Sequence, residues 1–149
     1  MKNERRDCRC TPVQVDKYCG RLSGPLRDRI DLAVNVPAVP VSAVTDGAGG
    51  EPSSAVRTRV LDAREAQQAR YGPRGPLTNA ELRGKAVQTF CRPDADGRAL
   101  LRRAVDSFGL SARGYDRVLK VARTVADLAG AGQVEAPHVA EALQYRMVE

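Results

Sequence analysis

Only one stretch of this chain alternates as a half-buried strand does. In Ile30-Asp31-Leu32-Ala33-Val34-Asn35-Val36 the apolar side chains fall at 30, 32, 34 and 36, the period of two that turns one face of a strand towards a core. Pro37 and Pro40 end it. A lone strand cannot stand as a sheet. The fold must therefore be carried by helices, and the strand is shaped for partners that this chain does not contain. Composition leans the same way. With no Trp and two Phe in a chain that is 42% apolar, the core must be built from Leu, Val and Ala, and Leu and Ala favour helices. The 149 residues suffice for one domain, or for one small domain plus part of another.

Caps and breakers set the expected order. Residues 1–11 are charged around Cys8-Arg9-Cys10, and Thr11-Pro12 opens a helix through about Arg21. Ser23-Gly24-Pro25 breaks it, and Leu26 to Arg29 make a short helical turn before the strand. Residues 42–54 read as a flexible linker. Ser53 or Ser54 then caps a helix to about Tyr71, with Val56, Val60, Ala63 and Ala66 or Gln67 inward. After the breaker at 72–76, one short helix runs from Thr78 or Asn79 to about Phe90. Another starts at Asp94 or Asp96, carries Leu100, Leu101, Val105 and Phe108 as a buried stripe, and stops at Gly109.

Ser111 caps the strongest helix, to about Ala129, whose apolar positions (Tyr115, Val118, Leu119, Val121, Ala122, Val125, Leu128) suit contact from two sides. Pro137 opens the last helix, with Val139, Ala140, Leu143 and Met147 inward. The connection at 129–135 is longer than the turn of a helix-turn-helix. The fold class is mainly α: a strand-bearing segment over 1–41, a linker over 42–54 and a helical domain over 55–149.

Net charge is +6, and 20 Arg stand against 4 Lys. Genomic base composition accounts for such an excess; phosphate recognition by the planar guanidinium is the sharper reading. The charge is compatible with contact to nucleic acid without establishing it. The N-terminus is charged with no apolar stretch behind it, and no run approaches the roughly 18–20 apolar residues that span a bilayer. A cytoplasmic location is expected, which favours thiols or metal ligands over disulfides.

Two segments, 23–31 and 109–117, each put an arginine at an element boundary. Arg29, at the edge of a sheet, can neutralise a γ-phosphate in a neighbouring subunit; its plain reading is a surface pair with Asp28 or Asp31. Arg113 follows the Ser111 cap, where a helix start already favours anions; its plain reading is a solvated arginine. Arg117, one turn on, is the fallback. The chain has no glycine-rich loop with Lys-Ser/Thr to hold that phosphate, so it reads as the back half of a nucleotide machine. The lone His138 has no partner in local sequence, and no catalytic nucleophile stands out. Cys8 and Cys10 supply half of a four-ligand zinc site, while Cys19 and Cys91 read as buried thiols.

Taken together these residues resemble the C-terminal part of the magnesium-chelatase-like AAA+ ATPases of the ComM/YifB competence family. The likeness runs from Cys8-Arg9-Cys10-Thr11-Pro12 to Ala140-Glu141-Ala142-Leu143-Gln144-Tyr145-Arg146. It is most specific in Arg21-Leu22-Ser23-Gly24-Pro25-Leu26 with Asp28-Arg29-Ile30-Asp31-Leu32, and from Leu110-Ser111-Ala112-Arg113 through to Ala129. The resemblance implies a helical AAA+ lid bundle preceded by a fragment of the AAA+ core with one β-strand. It implies Arg29 as the arginine finger acting on a neighbour's ATP, and Arg113 as the sensor-2 arginine acting on nucleotide near its own lid. It further implies a hexameric motor on DNA, linked to branch migration in natural transformation, with ATP and Mg²⁺ held by a P-loop-bearing partner.

Many members carry a Cys-Pro-Cys ahead of the Cys-x-Cys, which would complete a zinc site with Cys8 and Cys10. This chain lacks that pair, the P-loop, the Mg-binding acidic motif and the N-terminal protease-like domain. Leu26-Arg27-Asp28 also replaces the usual Leu-Leu-Asp or Leu-Phe-Asp. The expectation is a truncated or free-standing lid segment that does not hydrolyse ATP by itself. The alternatives are a basic adaptor for nucleic acid or a partner protein, and a non-functional gene fragment.

Overall fold

The computed structural model describes residues 9–40, 45, 47 and 49–146. Helix α1, Pro12–Cys19, opens on a reciprocal cap. Thr11 Oγ1 accepts from the Gln14 amide, and Gln14 Oε1 accepts from the Thr11 amide at 2.8 Å. The helix ends at Gly20, just short of Arg21, and buries none of its side chains. Helix α2, Gly24–Arg27, is a single turn capped by Ser23.

The strand expected over 30–36 is not formed. These residues run without a ladder, and Ile30, Leu32, Val34 and Val36 all stay exposed, Val36 at 81%. The Ala33 amide donates to the Tyr145 carbonyl at 2.8 Å. The reason is the one the sequence itself supplies: among the described residues no second edge is offered, and backbone donors and acceptors in a row need one.

The remainder is the mainly α bundle that was expected. Helix α3, Ser53–Tyr71, follows Pro52 as N-cap. A 3₁₀ turn, Asn79–Glu81, and helix α4, Lys85–Phe90, replace the single helix expected over 79–90. The break has a backbone cause: Gly84 takes φ 52° and ψ −124°, which residues with a Cβ avoid. Helix α5, Ala95–Phe108, starts where Asp94 accepts from the Gly97 amide at 2.7 Å and stops at left-handed Gly109. Helix α6, Ala112–Leu128, and helix α7, Ala136–Gln144, complete the order.

Helix α6 is the axis. It packs against α7 on one side and α3 on another, touches α4 and the 3₁₀ turn, and α5 closes over α7. Val118, Leu119, Ala122 and Ala126 of α6 meet Val139, Ala142 and Leu143 of α7 in one continuous core with Leu82, Val87, Cys91 and Leu101. Burying one Leu or Val fully stabilises by about 1.5–3 kcal/mol. The Tyr71 and Phe90 rings meet edge to face at 5.1 Å, joining α3 to α4.

Two expected stripes are corrected. On α3 only Ala63 and Gln67 are buried, and Val56 and Val60 are exposed because the helix outruns the bundle. On α5 Leu101 and Ala104 are buried, whereas Leu100 and Val105 are half-buried and Phe108 is 58% exposed. Met147 lies outside the described residues. Among the described residues, no helix is long and apolar enough to cross a membrane.

Candidate functional site

The two arginine-bearing segments, remote in sequence, lie against each other. Their junction is built on Ser111. Its Oγ accepts from the Gly114 amide at 3.0 Å, which caps α6, and donates to Asp28 Oδ2 at 2.8 Å. Arg146, just beyond α7, supplies the second hold: Nη2 donates to Asp28 Oδ1 at 2.9 Å and Nη1 to the Ile30 carbonyl at 2.7 Å. Gly114 makes room for this fork, since a Cβ there would stand 3.1 Å from Arg146 Nη2. Arg117 pairs with the Asp31 carboxylate, and the Ala33–Tyr145 backbone bond continues the attachment.

This geometry bears on each arginine singled out in the sequence. Asp28 is taken by Arg146 and Ser111, and Asp31 by Arg117. Among the described residues the plain pairing for Arg29 is not made; Arg29 is exposed, and its guanidinium donates to the Pro25 carbonyl at 3.5 Å. Arg113 is exposed in the first turn of α6, where it has no hydrogen bond or ion pair among the described residues. It stands beside the unpaired amides of a helix start, an environment that favours anions. Arg117, the fallback, is committed to Asp31.

A second constellation went unread in the sequence. Asp127, near the end of α6, has a fully buried carboxylate. Arg70 donates to it with both Nη atoms (2.5 and 3.2 Å), Arg123 Nε at 3.0 Å, Asn79 Nδ2 at 2.8 Å and Gln67 Nε2 at 3.2 Å. Burial alone would raise the pKa of this carboxyl; the hydrogen bonds from Arg70 and Asn79 and the charges of Arg123 and Arg70 outweigh it and hold the pKa below the ordinary value. Arg123 also donates to the carbonyls of Ala131 and Gly132, at 2.6 and 3.0 Å, pinning the turn after α6. A cleft of about 370 Å³ opens here, lined by Arg59, Asp62, Arg70, Asp127 and the 129–132 turn. Through Asp127, Gln67 and Arg70 tie α3 to α6, Asn79 ties the 3₁₀ turn, and Arg123 braces the turn after α6, so its chemistry is structural. The signal for it was available: Arg123 and Asp127 lie four apart on the face that carries Leu119, Ala122 and Ala126.

The cysteines divide differently from expectation. Cys91 is fully buried, and burial pushes its thiol up to about 12. Cys19, expected to be buried, is exposed, on a helix α1 that buries none of its residues. Cys10 is exposed, and Cys8 lies outside the described residues. Among the described residues no three His, Cys, Asp or Glu side chains converge as a metal site would require. His138 is a capping residue, its Nδ1 accepting from the Glu135 amide at 3.0 Å.

Comparison with known proteins fits this architecture. Residues 50–146 match the family described as magnesium chelatase, subunit ChlI C-terminal, and residues 1–44 match magnesium chelatase, subunit ChlI. The chain belongs to the magnesium-chelatase-like family of AAA+ proteins and carries its C-terminal domain. It is 43% identical over 139 residues to the competence protein ComM of Haemophilus influenzae, covering 93% of this chain and 26% of that protein. It is 39% identical over 142 residues to YifB of Salmonella typhimurium, covering 95% and 27%, and 43% identical over 141 residues to a protein of Mycobacterium bovis, covering 95% and 28%. The chain thus spans about a quarter of the length of these relatives.

Proposed function

We propose that this chain acts as the lid-bearing C-terminal part of a ComM-like AAA+ ATPase ring. Arg29 addresses the γ-phosphate of ATP on a neighbouring subunit, and Arg113 addresses nucleotide held beside its own lid. A P-loop-bearing subunit supplies the grip on ATP and Mg²⁺, so the chain alone does not turn ATP over. The observation that carries this reading is selective pairing. Where the two segments meet, Asp28, Asp31, Arg117 and Arg146 satisfy one another, while Arg29 and Arg113 stay exposed. An exposed guanidinium on a fixed backbone can meet phosphate oxygens without first breaking an ion pair. Arginine fingers contribute on the order of 10³–10⁵ in rate.

The full chain, mixed with the P-loop-bearing subunit and assayed for phosphate release, tests this. Stimulated turnover is expected, with Arg29→Ala lowering its rate and Arg113→Ala weakening its response to ATP. Stimulation that survives both substitutions together overturns the reading. By the same reading the ring is hexameric, cytoplasmic and works on DNA during natural transformation. Fluorescence anisotropy with single-stranded DNA should show binding that weakens steeply with salt. DNA binding without any stimulation of turnover would instead favour a basic adaptor, which the net charge of +6 permits.

A further inference from the structure

Asp28 is adjacent to Arg29 in the chain, and Ser111 lies two residues before Arg113. The hydrogen bond between Asp28 and Ser111 therefore fixes where both exposed arginines leave the backbone. Ser111 is fixed in turn because the same oxygen caps α6. Arg146 completes the attachment, reaching across 116 residues to the Ile30 carbonyl and across 118 to the Asp28 carboxylate. Its side chain is only 12% exposed, and Gly114 leaves the space it occupies. The effect of this attachment is to make the Arg29 segment part of the helical bundle, although residues 30–36 form no strand.

We propose that Arg146 is a positioning residue for Arg29: by holding Asp28 and the Ile30 carbonyl to the lid, it makes the Arg29 and Arg113 segments move as one body. Nucleotide engaged by Arg113 shifts the lid, and the shift is carried to Arg29 and so to the neighbouring ATP. Coupling of this kind is a free energy shared between two sites, so each site's occupancy biases the other. The inference rests on the proposed roles of Arg29 and Arg113, and two readouts separate its failure from theirs.

The first readout needs no nucleotide. In the full chain, Arg146→Ala should speed hydrogen exchange at the Ala33 amide by about tenfold, while the α6–α7 core keeps its protection. The second uses the chain with the P-loop-bearing subunit. Arg146→Ala should lower stimulated kcat about tenfold with KM for ATP within about twofold. Arg146→Lys should restore part of the rate, because it keeps a cation at Asp28 but reaches one acceptor instead of two. Should Arg146→Ala melt α7, Asp28→Asn on the exposed segment carries the same test. Adding Asp28→Asn to Arg146→Ala should cost less than the two single losses summed, since both variants lose the shared Arg146–Asp28 pair. Unchanged Ala33 exchange in both single variants overturns the attachment itself. Faster exchange with undiminished kcat, while Arg29→Ala abolishes stimulation, overturns the positioning role. Full stimulation by Arg29→Ala overturns the ATP-site reading and this inference with it.

Discussion

The Ser111 hydroxyl donates to the Asp28 carboxylate at 2.8 Å while accepting from the Gly114 amide at 3.0 Å, so one oxygen both starts α6 and holds a segment 83 positions earlier. The two roles separate by substitution. Ser111→Ala removes both and should lower stability by about 1 kcal/mol, the usual cost of a lost cap. Ser111→Asp keeps a good cap but sets two carboxylates against each other. It should leave the thermal midpoint near that of the parent while freeing residues 28–33, seen as faster hydrogen exchange at Ala33. A stable variant with unchanged exchange would contradict the assignment.

Asp127 should be the most sensitive polar position in the bundle. Replacing it with Ala leaves Arg123, itself 2% exposed, as a buried cation without its counter-charge. Removing one partner of such a pair costs about 3–5 kcal/mol. Urea denaturation should show that loss as a lower midpoint with little change in slope. A loss under about 1 kcal/mol would mean that the group is solvated.

The same carboxyl sets a pH dependence. Its folded-state pKa lies below the ordinary value, so its contribution is complete above the unfolded value of about 3.9. It is lost as pH falls through the folded pKa. Urea midpoints compared at neutral and acid pH should fall on acidification, and Asp127→Asn should shrink that fall. An unaltered pH response in the variant would assign the effect to other acids.

Cys91 should be inert in the native chain. With its thiol pushed up to about 12 and the side chain fully buried, Cys91 stays a thiol, and the thiolate is the reactive form. Iodoacetamide followed by peptide mass spectrometry should modify exposed Cys19 first, and Cys91 only after denaturant is added. Early labelling of Cys91 would show that the core opens more readily than its packing implies.

The exposed apolar side chains at 30–39 should promote self-association, because an unpaired extended segment offers its backbone to another chain. Light scattering at matched concentration should give a larger apparent mass for the full chain than for a version beginning at Ser53. Equal monomeric masses would mean that the segment does not recruit another chain despite its exposure.

What was legible in the sequence was local. Ser111, Asp94 and Gly109 mark helix ends by the hydrogen bonds and dihedral angles their side chains allow, and those ends fall where expected. Partners were not legible. The period of two at 30–36 describes a strand's faces but not its neighbour, and without one the strand did not form. Val56 and Val60 lie on the correct face of α3, but periodicity does not say where the bundle stops. Of the candidate site, the sequence placed Arg29 and Arg113 at element boundaries and no more. That Asp28 and Asp31 would be claimed by Arg146 and Arg117 was not readable, because those contacts span 118 and 86 residues. Beyond the Arg123–Asp127 spacing, the Asp127 cluster was not legible either, because Gln67, Arg70 and Asn79 reach it across 48–60 residues.

Helix α3 is held by its later turns, through Ala63, Gln67 and Arg70, while residues 53–62 are exposed apart from half-buried Ala55. Mechanically it is a cantilever. At 1.5 Å per residue those ten residues reach about 15 Å beyond the clamp. By that lever arm, a tilt of about 10° at Ala63 swings the free end by roughly 2.6 Å, enough to break a hydrogen bond there. Small rotations of the bundle are therefore delivered enlarged at Ser53.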